Sequence, residues 1–300
     1  MKLVTFTLSS TPESPAHVGA CDDGDATVAD LTDGGLADSM ESFIRMGKAG
    51  LDKARAYVMG TPKRYALADI VIGAPISRPA KNIMCVGKNY YAHAVEFHSS
   101  GFDASSAAGA AAVPDKPVIF TKAHTSIAAP GAVIDTRLDP TGSTDYEGEL
   151  AVVIGVGGRG IARDRALEHV YGYTIVNDVT ARTIQHAHKQ WFLGKSIDGY
   201  CPMGPCLVTA DEIEDVEALE LVTTVNGEVR QKASVADLVF DIPMLIETIS
   251  HGIRLEPGDV IATGTPAGVG IGFDPPRYLK AGDSVAVTIE PIGTLTNPVS

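Results

Sequence analysis

The sequence is short of cysteine, of positive charge and of long apolar runs, and each shortage removes a class of function. Four cysteines, Cys21, Cys85, Cys201 and Cys206, stand among 300 residues without a CxxC spacing. That excludes a disulfide-stapled scaffold and suits reduced, packed thiols of a cytoplasmic protein. Pro202-Met203-Gly204-Pro205, between two of them, reads as turn chemistry, so no redox pair is expected there. Lysine and arginine number 24 against 37 aspartates and glutamates, a formal charge of −13. With no basic excess to neutralise phosphates, a nucleic-acid partner is excluded. A small anion can still bind where cations are concentrated locally. No stretch approaches the roughly 18 apolar residues that a membrane helix requires, so no membrane partner is expected. Met1–Leu8 is too short for a signal-peptide core and reads as an edge strand.

What remains is ordinary globular composition, 45% hydrophobic and 20% charged. Residues 1–75 read as a small N-terminal region, with strands at Leu3–Leu8 and Ala26–Leu31 flanking acidic turns. A helix follows, with Asp38 as cap, Glu41 three residues on, and Met40, Phe43, Ile44, Leu51, Ala54 and Val58 as its core-facing stripe. This region shows no chemistry; its expected role is to pack on the main domain or on a second subunit. Residues 76–300 form the main domain. Strands are expected at Asn82–Gly87, Pro117–Lys122, Leu150–Ile154, Tyr173–Asp178, Val260–Thr263 and Val285–Glu290. Asn226-Gly227 signals a hairpin within Leu219–Gln231, and helices are expected near 164–171, 181–191 and 241–252. Lys88–Glu96 reads as one short helical turn. The Ser/Ala/Gly-rich segment 99–117 after it is either a linker or an active-site lid. Strands outnumber helices and no βαβ series repeats. The fold class is therefore α+β and β-rich, with a closed or sandwiched sheet.

Gly155-Val156-Gly157-Gly158-Arg159-Gly160 satisfies a dinucleotide-binding pattern after a strand. The glycines do not open the helix, because Ile161-Ala162-Arg163 intervene, and nothing downstream repeats a βαβ unit. A glycine-rich strand turn is the better account.

The chemistry centres on Asp145-Tyr146-Glu147-Gly148-Glu149, which runs into the apolar strand Leu150–Ile154. Side chains alternate along a strand, so Glu147 and Glu149 point to the same side, where their like charges repel. Taken alone, the pair reads as a strand start lying in water. Asp178, at the end of Ile175-Val176, supplies a third carboxylate, although by itself it reads as a helix cap. Three carboxylates make a hard, oxygen-rich site that suits Mg²⁺ or Mn²⁺ rather than Zn²⁺. His186 and His188 diverge by about 200° on a helix and read as surface residues. His93 and Glu96, three apart on one helical face, form a pair in which the carboxylate orients the imidazole as a general base.

At these positions the chain resembles the fumarylacetoacetate hydrolase family. The resemblance rests on Gly87-Lys88-Asn89-Tyr90-Tyr91-Ala92-His93 with Glu96, on Glu147-Gly148-Glu149, and on Asn177-Asp178-Val179-Thr180-Ala181-Arg182 with Gln185. Gly194-Lys195-Ser196 and Thr263-Gly264-Thr265-Pro266-Ala267-Gly268-Val269-Gly270 complete it. It covers residue 80 or so to the C-terminus. Lys88 stands where an Arg is common, and Thr183 where an Asp is common. The resemblance implies a mixed β-sandwich or barrel-like roll, a homodimer, and a metal site of Glu147, Glu149 and Asp178. It further implies a His93–Glu96 dyad on a lid spanning about 90–116, a catalytic Lys195, and substrate contacts from Arg182, Gln185, Thr265 and Lys122. The expected activity is metal-dependent hydrolysis of a C–C bond in an acylpyruvate-type 2,4-diketo acid, fumarylpyruvate-like, giving pyruvate and a carboxylic acid. An oxaloacetate decarboxylase, a dienedioate isomerase and, more distantly, a non-enzymatic binding protein are the alternatives.

Overall fold

The computed structural model describes residues 1–21, 26–102 and 111–300; residues 103–110 of the expected lid lie outside the described residues. The chain opens with β1 (Lys2–Leu8), β2 (His17–Cys21) and β3 (Thr27–Asp30), an antiparallel meander. Helices α1 (Met40–Arg45) and α2 (Gly47–Val58) follow, then β4 (Arg64–Ala66) and β5 (Ile70–Gly73). The cap of α1 is Ser39 rather than the expected Asp38. Ser39 and Ser42 exchange side-chain-to-backbone hydrogen bonds, satisfying two N–H groups that the first turn leaves free, which contributes about 1 kcal/mol. The expected single helix is broken at Gly47, whose φ of +55° lies in the left-handed region.

Strand β6 (Ile83–Gly87) leads into α3 (Tyr91–Ser99), and β7 (Val118–Lys122), β8 (Ile127–Ala128) and β9 (Thr144–Asp145) come next. The fully buried β10 (Gly148–Ile154) pairs antiparallel with β11 (Val170–Asn177) along its whole length. After β12 (Thr180–Ala181), one helix is expected but two short ones form, α4 (Arg182–Ala187) and α5 (Phe192–Lys195). Lys189, at a φ of +57°, turns the chain between them.

Strand β13 (Cys201–Thr209) runs through the stretch expected to turn. It pairs with β11 across a register shift, and proline, which lacks a ladder donor, is tolerated in a strand at such an irregularity. Cys201 and Cys206 pack in different core clusters, on opposite faces of the sheet, and no disulfide joins any of the four cysteines.

The hairpin β14 (Glu220–Val225) and β15 (Glu228–Ser234) turns through Asn226-Gly227, both at positive φ, as expected. Helix α6 (Ile242–Ser250), capped by Asp241, precedes β16 (Val260–Ala262), β17 (Ser284–Ile289) and β18 (Gly293–Pro298).

Two sheets result. The long one runs β4-β3-β2-β1-β13-β11-β10-β16-β6-β7, and the smaller one runs β15-β14-β17-β18. The long sheet ends in edges at β4 and β7, so the sandwiched alternative holds and the closed one does not. Leu150, Val152, Tyr173 and Ile175 pack on one face against Leu221, Val287 and Ile289 of the smaller sheet and against α6. Ala151 and Val153 face the other way, onto the cluster that also holds Phe43 and Ile44 of α1. Residues 1–73 join this sheet through β1, where Lys2 and Leu3 pair with Val208 and Leu207. The resulting class is strand-rich α+β. Among the described residues no helix is long and apolar enough to cross a membrane.

Candidate active site

The register of β10 on β11 builds the site. Gly148 lies opposite Asn177, so Glu147 and Asp178 meet just beyond the paired ends. The Asp178 N–H donates to the Glu147 carbonyl at 2.8 Å, and the Glu147 N–H donates to Asn177 Oδ1 at 3.0 Å. A β-carbon on Gly148 would collide with Thr223 and Val287 of the smaller sheet, so Glu149, one residue on, points to the opposite face. Glu147, Glu149 and Asp178 each bring a carboxylate oxygen within 4.8 Å of the others, and all three are buried. The three acids expected from the sequence therefore converge.

Such a cluster is untenable without positive charge. Lys195 Nζ donates to Glu147 Oε2 at 2.6 Å and to Asp178 Oδ2 at 2.8 Å. Lys122 Nζ lies 2.6 Å from Asp178 Oδ1 and donates to the Val179 carbonyl at 3.0 Å. Arg182 Nη2 lies 2.7 Å from Glu147 Oε1, Nε–H donates to Asp145 Oδ2 at 2.9 Å, and Nη1–H donates to Gln185 Oε1 at 3.3 Å. Glu149 accepts the Gly264 N–H at 2.9 Å, and among the described residues no lysine or arginine is paired with it.

The carboxyls respond differently. Burial pushes Glu147 up, but Lys195, then Arg182 and His93, outweigh it and hold the group down to about 2. Burial and the neighbouring charges of Asp178 and Glu147 push Glu149 well above the usual carboxylate range. Lys195 is raised; burial pulls it down, but Asp178 and Glu147 outweigh that, so it stays an ammonium ion. An all-oxygen donor set in which buried Glu149 has no lysine or arginine paired with it among the described residues fits a hard divalent ion such as Mg²⁺ or Mn²⁺.

The dyad sits on α3. Asn89, just before it, donates to the Phe240 and Thr263 carbonyls at 3.0 and 2.7 Å and accepts the Phe240 N–H at 2.8 Å. This fixes where the helix starts. His93 Nδ1 lies 3.2 Å from Glu96 Oε2, while Glu96 Oε1 accepts the Gly268 N–H at 3.0 Å. A β-carbon at Gly272 would overlap the Glu96 carboxyl, so only glycine lets Glu96 seat there. Phe97 stacks on His93 with centroids 6.1 Å apart, and its ring lies 5.8 Å from the Arg182 guanidinium.

Lys122, Arg182 and Lys195 are thus gathered at the triad, and Gln185 reaches it only through Arg182. Thr265 is beside it with its hydroxyl committed, donating to the Gly148 carbonyl at 3.0 Å and accepting from Gln231 Nε2 at 2.7 Å. His186 and His188 are exposed, as expected. Sequence reasoning did not single out Asp145, Phe97 or Gln231 as site residues. For Asp145 a signal existed, since it shares the Glu147 segment, but its partners are backbone amides far along the chain, which no spacing reveals.

Known proteins resemble this chain over most of its length. The model described as fumarylacetoacetate (FAA) hydrolase C-terminal matches residues 82–300. Oxaloacetate tautomerase YisK of Bacillus subtilis is 50% identical over 235 residues, 78% of this chain and 75% of that protein. The solved fumarylacetoacetate hydrolase of Exiguobacterium antarcticum covers 100% of this chain and 99% of its own, at 40% identity and a TM-score of 0.82. Maleylpyruvate hydrolase of Sphingobium sp. SYK-6, solved with manganese(II) and pyruvate, covers 100% of this chain and 98% of its own, at 28% identity and a TM-score of 0.78. These named relatives are all enzymes. With the buried acidic triad, the dyad and these matches together, the chain belongs to the fumarylacetoacetate hydrolase family.

Proposed function

We propose that this chain is a Mg²⁺- or Mn²⁺-dependent enzyme that makes or consumes the enol of a small 2-keto acid, and that keto–enol transfer on an oxaloacetate-type substrate is its principal reaction. The observation that carries this reading is the His93–Glu96 contact of 3.2 Å on a helix close enough for His93 to bear on the charge of Glu147. The identity to a protein named oxaloacetate tautomerase supports the choice of substrate.

A bound divalent ion supplies Lewis-acid polarisation of the 2-keto group. Glu147, Glu149 and Asp178 would hold it. Lys195 and Arg182 keep Glu147 ionised and add fixed positive charge that favours an anionic substrate. Lys195 acts as an electrostatic group rather than a proton donor, because its carboxylate neighbours hold it protonated. Glu96 faces His93 Nδ1, which leaves Nε2 as the atom that exchanges a proton with the carbon next to the keto group.

A second reading, acylpyruvate hydrolysis, is favoured by the same dyad and by the likeness to maleylpyruvate hydrolase. There His93 Nε2 takes a proton from water, the hydroxide adds to the distal carbonyl, the C–C bond breaks to a carboxylic acid and the enolate of pyruvate, and His93 returns the proton to the enolate carbon. The test gives the purified protein enol-oxaloacetate and a panel of acylpyruvates, with Mg²⁺, with Mn²⁺ and with a chelator, and identifies products. Metal-dependent loss of the enol without a new acid supports tautomerisation, and release of a carboxylic acid supports hydrolysis. Full activity in chelator, or none on any substrate, overturns both.

A further inference from the structure

Asp145 is an acid at the site that neither the triad nor the dyad uses. It is fully buried at the end of β9, opposite Thr180 of β12. Its Oδ1 accepts the Tyr146 N–H at 2.9 Å and the Gly270 N–H at 2.6 Å. Its Oδ2 accepts the Ile271 N–H at 3.0 Å and Arg182 Nε–H at 2.9 Å. Four donors saturate a carboxylate, so Asp145 has no lone pair left for a metal. The arrangement serves geometry instead.

The loop 268–272 that Asp145 grips is the same loop that seats Glu96, through the Gly268 N–H and the open space at Gly272. The guanidinium that Asp145 grips is the one that lies 2.7 Å from Glu147. One carboxylate therefore ties the seat of the base dyad to a ligand of the triad. We propose that Asp145 is a positioning residue that holds the His93–Glu96 base in register with the Glu147 side of the metal centre. This rests on the functional reading above for its kinetic consequence, but not for its geometry.

The energetics favour a demanding role. Three backbone amides, two of them on the distant loop 268–272, and a guanidinium nitrogen depend on one buried group, and each loses its acceptor if that group is removed. Asp145→Asn keeps the volume but turns one acceptor into a donor facing Ile271 N–H or Arg182 Nε–H. Gly270→Ala disturbs the same contact from the loop side, because its β-carbon would lie 2.6 Å from Asp145 Oδ1, and also 2.6 Å from the Arg277 carbonyl oxygen.

The test is a double-mutant cycle of Asp145→Asn with Glu96→Gln, run on the metal-loaded protein, plus amide hydrogen exchange over residues 266–273. Asp145→Asn is expected to lower kcat by about 100-fold, the scale of an ångström-sized misplacement, with KM changed far less. In the Glu96→Gln background, where the base is already impaired, the further loss is expected to shrink to about threefold or less, since the two act through one loop. Exchange at Gly270 and Ile271 is expected to speed up. If Asp145→Asn does not fold, Gly270→Ala takes its place in the cycle with the same expectations. Equal proportional losses in both backgrounds, or unchanged loop exchange, overturn the proposal. Should the wild type turn over no 2-keto acid, the functional reading fails, and the exchange arm alone still decides the role of Asp145.

Discussion

Glu147, just before β10, and Glu149, on it, stand two residues apart and lean in opposite directions in charge. Glu147, flanked by Lys195 and Arg182, is held down to about 2, whereas Glu149, facing Asp178 and Glu147 from a buried position, is pushed well above the usual range. The difference lies in which side chains reach them. Two cations arrive at Glu147, and at Glu149 a backbone amide does.

Metal binding should therefore release a proton. Below the raised value of Glu149 the carboxyl is protonated, and an incoming cation must displace that proton. Affinity then rises with pH and levels off once Glu149 is ionised, while Glu147 contributes no pH dependence above its own low value. Calorimetric titration with Mn²⁺ in buffers of different ionisation enthalpy checks this. Affinity is expected to keep rising above 4.5, the ordinary glutamate value. A flat profile there, without proton release, would contradict the charge assignment.

Lys195→Met leaves Glu147 and Asp178 short of their shared counter-ion in a buried site. Removing one partner of such a network costs about 3–5 kcal/mol. Thermal melts without metal should show the loss, and saturating Mn²⁺ should recover part of it, because the ion replaces missing positive charge. Recovery equal to that of the unaltered protein would argue against Lys195 sharing the site's charge balance.

His93→Ala is expected to reduce turnover by about 10²–10⁴-fold while metal affinity stays near that of the wild type. Glu96→Gln retains an acceptor for the Gly268 N–H but loses the charge that steadies a protonated imidazole, so its loss should be smaller. Parallel assays of kcat and Mn²⁺ binding separate the roles. If both variants lose the metal along with the activity, the dyad is structural.

Gly272→Ala places a methyl group where the Glu96 carboxyl sits. The expected result is at least about tenfold lower kcat, since small displacements of a base are expensive in rate. The melting temperature should move little, because the side chain that yields is partly exposed. Unchanged kcat would mean that Glu96 does not need this seat.

The site was more legible in the sequence than the frame that holds it. Glu147, Glu149 and Asp178 could be placed together because β-strand alternation and a single antiparallel pairing suffice to converge them. His93 and Glu96 needed one helical turn. Strand β13 was misread because local proline and glycine signals were stronger than the tertiary pairing with β11 and β1 that overrides them. The helix expected across 181–191 ends early because the chain turns at Lys189, whose positive φ separates α4 from α5, a backbone feature invisible to periodicity. The loop contacts of Asp145 span more than a hundred residues, beyond the reach of any local pattern.

The pairing of β1 with β13 also orders events during synthesis. While β2 and β5 reach β1 early, Leu3 pairs with Leu207, a contact that waits for some two hundred further residues. Until then the β1 edge that β13 will cover stays open, a template for wrong partners. The N-terminal meander therefore cannot finish its pairing until β13 has been made, although none of its described residues lies at the triad or the dyad.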